Sequence, residues 1–116
     1  MTAPKPGNPV RWSKTGRPIM ALLDLLGRRM ALRILWELSH VNTPLTFREL
    51  EAAAETNPSV LNKRLKEFRD TQIVEHCREG YRLTSQGRSL VTLILPLHAW
   101  SEFWASKLGI DDRASK

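Results

Sequence analysis

Apolar residues recur at helical spacing only from Pro18 onward. Ile19, Leu22, Leu23 and Leu26 share one face of a predicted helix that opens at Pro18, a favoured first-turn residue, and stops at Gly27. A second helix is expected from about Arg28 to His40, striped by Ala31, Ile34, Leu35 and Leu38, with Val41 to Pro44 as the loop after it. Thr46 and Glu49 have the spacing of a capping box and start a third helix, whose buried side is Phe47, Leu50 and Ala54. Glu55 and Thr56 make a tight connection. Asn57 and Pro58 then open a fourth helix as N-cap and first helical residue. Its inward stripe is Leu61, Leu65 and Phe68, and its outward positions are Ser59, Asn62, Lys63, Lys66 and Asp70. The period then changes. Ile73 to Arg78 reads as a strand, Glu79-Gly80 as a turn and Tyr81 to Leu83 as the return strand. Thr84 caps a last long helix from about Ser85 to Lys107, with Leu90, Leu93, Leu97, Trp100 and Trp104 as its stripe and a kink at Pro96.

This order predicts a mainly α fold with a small β-hairpin. Helices two to four form a tri-helical helix-turn-helix core, and the hairpin directly after the basic fourth helix is its wing. The expected organisation is a flexible basic arm over 1–17, one winged helix-turn-helix domain over 18–109 and a tail over 110–116. The arm is rich in Pro, Gly, Lys and Arg and shows no periodicity. The terminal helices are the expected dimer contacts, with Leu97, Trp100, Phe103 and Trp104 as aromatic and aliphatic anchors. The same rings are also able to pack on the first helix of their own chain.

Charge narrows the class of partner. Lys plus Arg number 18 against 12 Asp plus Glu, a net charge of +6 on 116 residues, which suits a polyanion. No run of apolar residues approaches the ~20 needed to cross a membrane, and the N-terminus has no apolar core of signal-peptide type. A single cysteine, Cys77, excludes an internal disulfide. The cytoplasm is the expected compartment.

On the fourth helix, Ser59, Asn62, Lys63 and Lys66 offer the donors that read base edges in a major groove. A merely solvated basic face would present the same residues. Arg28 and Arg29 at the start of the second helix, Arg48 in the first turn of the third, Arg64 on the fourth and Arg78 and Arg82 on the wing are candidate phosphate or wing contacts. Arg64 is equally placed for an ion pair with Glu67.

These elements together resemble the HxlR-type winged-helix regulators, a branch related to the MarR family. The resemblance runs from Pro18 to Trp104. It rests on Leu25, Leu26, Gly27, Arg29, Leu32, Ile34, Leu35, Glu37 and Leu38, on Phe47, Glu49 and Leu50, and on Val60, Leu61, Arg64 and Leu65. Ile73, Val74, Tyr81, Leu83, Thr84 and Gly87 continue it, and Trp100 and Trp104 close it. It implies a dimeric transcription factor on near-palindromic double-stranded DNA. Three positions depart from the family pattern. Arg17 stands where a cysteine often precedes the proline, Met30 where a tryptophan is usual, and His76 where a basic residue often ends the first wing strand. The resemblance therefore implies no thiol sensor beside Pro18, and it names no effector.

No catalytic, metal or cofactor site is expected. His76 and Cys77 are neighbours on a strand and point to opposite faces, while His40 and His98 have no partners at ligand spacing. A second functional class stays open: a basic winged helix that binds RNA or a protein partner. A protein-binding version would carry apolar residues where Ser59, Asn62, Lys63 and Lys66 stand.

Overall fold

A computed structural model describes residues 3–110. Six helices and one hairpin follow in the order α1 (Pro18–Leu26), α2 (Ala31–Ser39), α3 (Phe47–Ala54), α4 (Pro58–Asp70), β1 (Val74–Cys77), β2 (Gly80–Leu83), α5 (Ser85–Ile94) and α6 (Leu97–Lys107). The architecture is the expected winged helix-turn-helix.

The caps read from the sequence are present as bonds. The Thr46 hydroxyl accepts from Glu49 N–H at 3.1 Å, and Glu49 Oε1 accepts from Thr46 N–H at 2.9 Å, so α3 opens on a complete capping box. Asn57 Oδ1 accepts from Val60 N–H at 2.9 Å at the start of α4, and Thr84 Oγ1 accepts from Gly87 N–H at 3.0 Å at the start of α5. The core joins Ile34, Leu35 and Leu38 of α2, Leu50 and Ala54 of α3, and Leu61, Leu65 and Phe68 of α4. Val74, Leu83, Val91 and Ile94 close it from the hairpin and α5.

The strands pair antiparallel with Val74 opposite Leu83 and Cys77 opposite Gly80, so the turn residues are Arg78 and Glu79, one position earlier than expected. Leu45 adds a third short rung: it exchanges both backbone hydrogen bonds with Tyr81, at 2.7 and 3.0 Å. Gly80 makes this rung possible. Its φ is 141°, and a Cβ there would lie 2.3 Å from the Leu45 carbonyl oxygen. Gly87 plays a similar part, because a Cβ would meet the Ile73 carbonyl at 2.1 Å.

The structure corrects the expected elements at both ends of the core. The second helix does not start at Arg28: residues 28–30 are a turn, and α2 begins after Met30, which sits in the left-handed region at φ 66°. The last helix is two helices, because Pro96 has no N–H to continue the ladder and the chain turns between Ile94 and Leu97. The buried side of α5 is Gly87, Val91 and Ile94 rather than Leu90 and Leu93; Leu90 is only partly buried and Leu93 is exposed. The N-terminal arm differs as well. Residues 3–17 lie on the body instead of standing free. Ala3 is buried, Gly7 N–H donates to Gly16 C=O at 2.8 Å, Arg11 N–H donates to Asp24 Oδ2 at 3.3 Å, and Lys5 pairs with Asp70 at 3.1 Å. Trp12 stands exposed at the turn of this segment. Of the expected tail over 110–116, only Ile110 falls within the described residues.

Candidate nucleic-acid interface

The fourth helix is amphipathic in the sense the sequence requires. Leu61, Leu65 and Phe68 are buried to 2% exposure or less, while Ser59, Asn62, Lys63 and Lys66 all face solvent. Pro58 starts the helix cleanly and Thr71 closes it, its hydroxyl donating to the Glu67 carbonyl at 2.8 Å. An exposed helix edge carrying one amide, one hydroxyl and two ammonium groups offers hydrogen bonds to base edges and charge to phosphates. Among the described residues, Lys63 and Lys66 pair with no carboxylate.

The arginines divide into two groups. Arg29, Arg48 and Arg78 are exposed, and among the described residues none forms an ion pair. Arg28 and Arg64 turn inward. Arg28 Nη1 donates to Glu67 Oε2 at 2.6 Å, and Arg28 Nη2 donates to Asp24 Oδ2 at 3.4 Å. Arg64 Nη1 donates to the Arg29 carbonyl at 3.2 Å. Arg64 Nε lies 2.9 Å from Glu67 Oε1, close enough for charge attraction, but its N–H is not aimed at that oxygen and makes no hydrogen bond. The four side chains are 5–13% exposed. Burial lowers the Arg28 pKa, but hydrogen bonds to Asp24 and Glu67 outweigh it and raise the value above the ordinary one. The expected phosphate contacts of Arg28 and Arg64 therefore give way to an internal ion cluster. Taking Arg28 out of this cluster costs about 3–5 kcal/mol, because Asp24 is left buried without its cation.

On the wing, Arg82 Nε donates to Glu75 Oε2 at 2.6 Å on the solvent face, and this hydrogen bond raises the Arg82 pKa. The cation is shared with a carboxylate before any partner arrives. Arg78 at the tip is not. His76 and Tyr81 stack across the strands with ring centroids 4.1 Å apart, and Cys77 is half-buried on the same strand. The sequence offers Glu67 as a possible partner of Arg64 but gives no direct sign of Asp24. The readable signal is the four-residue spacing from Asp24 to Arg28, one helical turn.

The C-terminal helices expose an apolar face. Leu93, Leu97, Trp100, Phe103, Trp104 and Leu108 are each more than half exposed, and α6 buries no residue within the protomer. Trp100 and Trp104 stack at 5.6 Å. On α1, Ile19 and Leu23 are likewise more than half exposed, one turn apart. No helix among the described residues is long and apolar enough to cross a membrane, and no three His, Cys, Asp or Glu among them are grouped to hold a metal ion.

The family model for the HxlR-like helix-turn-helix matches residues 25–108. The chain belongs to the HxlR-like helix-turn-helix family. The matched span covers the end of α1, the whole tri-helical core, the wing and both terminal helices, so the family assignment and the exposed α4 face concern the same residues. No curated protein sequence matches the chain at a significant level. Among solved structures, the chain is similar to the quinone-bound YodB of B. subtilis, with 28% identity and a TM-score of 0.65, over 72% of this chain and 94% of that one. As an HxlR-like protein the chain is a DNA-binding transcription regulator.

Proposed function

We propose that this HxlR-like regulator acts as a homodimer on a near-palindromic double-stranded operator, with α4 as the reading helix. The observation that carries this is the solvent face of α4: Ser59, Asn62, Lys63 and Lys66 are exposed while Leu61, Leu65 and Phe68 of that helix are buried. Such a face gains nothing from an apolar protein partner and matches the polar edge of a major groove. The exposed stripe on α6, with Ile19 and Leu23 of α1, supplies the apolar area a second copy would cover. Arg29, Arg48 and Arg78 are the phosphate contacts in this reading, and Arg82 joins them by leaving Glu75. A quinone is bound in the YodB structure; sensing through a thiol next to Pro18 forms no part of the present reading, since Arg17 stands there.

Base reading and phosphate binding separate in one experiment. Asn62→Ala removes a base contact, which costs ~1–3 kcal/mol and narrows the gap between operator and random DNA. Arg29→Ala removes a phosphate contact, so both affinities fall together and the salt slope drops by about one unit. Isotherms for each variant on both DNAs at three salt concentrations decide it. If Asn62→Ala and Lys63→Ala both keep the operator preference, α4 is not the reader and a basic module for RNA or protein becomes the better account.

A further inference from the structure

Asp24 is the one charged residue in the buried set of the described chain. It lies on α1, the helix whose opposite side exposes Ile19 and Leu23. Its carboxylate accepts from the Arg11 backbone N–H in the N-terminal segment and from the Arg28 guanidinium, and Arg28 spans onward to Glu67 on α4. Arg64, one turn before Glu67, donates to the carbonyl of Arg29. The N-terminal segment, α1, the α1–α2 turn and the reading helix thus meet in one cluster of four enclosed charges. The same segment also touches the end of α4 through Lys5 and Asp70.

Enclosed ion pairs add little net stability compared with apolar side chains of the same size, but they fix geometry. Apolar contacts are non-directional and permit sliding. A planar guanidinium shared between two carboxylates does not, because its donors form a rigid fork. The geometry points to a positioning role: the Asp24–Arg28–Glu67–Arg64 cluster sets the angle of α4 against α1, and so the separation of the two reading helices in the dimer. The inference rests on the dimeric operator-binding reading above. The lever is long enough to matter. A 13-residue helix is about 20 Å long, and a tilt of about 10° moves its far end by about 3 Å, roughly one base-pair step.

The test measures spacing, not affinity alone. Duplex pools carry two copies of the half-site selected by the wild type, with centre-to-centre distances varied in single base-pair steps. The wild type should enrich one separation. Arg28→Lys keeps the charge but loses the fork. It should keep the dimer mass and the half-site sequence, yet spread over neighbouring separations, with the preferred-to-next ratio falling several-fold. If Arg28→Lys weakens binding by the same factor at every separation, the cluster only supports the fold and the inference is overturned. If the wild type itself is indifferent to separation, the reading of two helices in fixed register falls first and takes the inference with it. Should Arg28→Lys not fold, Glu67→Gln, which keeps the shape and a hydrogen bond to Arg28, takes its place: a several-fold fall in the same ratio supports the inference, and an equal loss at every separation overturns it.

Discussion

At the scale of single residues, the direction of a charged side chain decides its role, and a sequence records only its presence. Arg64 and Lys63 are neighbours on α4, yet Lys63 faces solvent and Arg64 is 12% exposed against Glu67 and the Arg29 carbonyl. Arg64→Ala should therefore cost stability, about 1.5–3 kcal/mol for a hydrogen bond made by a charged group, and urea unfolding at low salt measures it. The salt slope of DNA binding should stay nearly unchanged, the opposite of the outcome for Arg29→Ala. The outward set Ser59, Asn62, Lys63 and Lys66 is legible in the sequence because the apolar stripe of α4 is unbroken and fixes the helix rotation. Arg28 is not, since the turn at residues 28–30 replaces the expected first helical turn and swings its side chain onto Glu67. Nor is the N-terminal segment, whose tethers to Asp24 and Asp70 join residues far apart in the chain.

At the scale of elements, boundaries marked by a cap are legible in the residue types, and boundaries marked by geometry alone are not. Thr46, Asn57 and Thr84 each carry a side-chain oxygen that occupies a free helical N–H, a local event. Pro96 announces the break between α5 and α6, but a stripe drawn through it as a mere kink gives α5 the wrong buried side. The third rung at Leu45 has no signature at all except Gly80, which the sequence pattern assigns to the turn. That rung ties the wing to the loop before α3, so Gly80→Ala should be disproportionately harmful. The left-handed backbone alone costs about 1–3 kcal/mol, and the clash with the Leu45 carbonyl adds to it. Denaturant titration should give a loss at least that large, and hydrogen exchange should locate it in β2 and around Leu45. A loss below that range would mean that the wing stands independently of the loop.

At the scale of the molecule, α4 exposes a polar, cationic face and α6 an apolar, aromatic one. Among the described residues the tryptophans of α6 stay about half exposed and none is buried. Trp104→Ala should therefore weaken self-association much more than it lowers the unfolding free energy of the core. Sedimentation at micromolar concentration reads the first quantity and denaturant titration the second. Equal losses in both would place the tryptophan in the protomer core, and a wild type that sediments as a single-chain species would remove the dimer altogether.

The separation of α6 from the core by Pro96 has a consequence for how the protein behaves when it is scarce. An 11-residue helix whose large side chains are about half exposed is shorter than the ~12–15 residues at which isolated helices become even marginal in water. In the proposed dimer its helicity would lean on the second copy, so dilution should melt α6 while the tri-helical core stays intact. Amide exchange in residues 97–107 should accelerate as the concentration falls, and exchange in α4 should not. A regulator built this way would lose its terminal helix and its pairing together, making the concentration of the chain itself a condition for a formed C-terminal end.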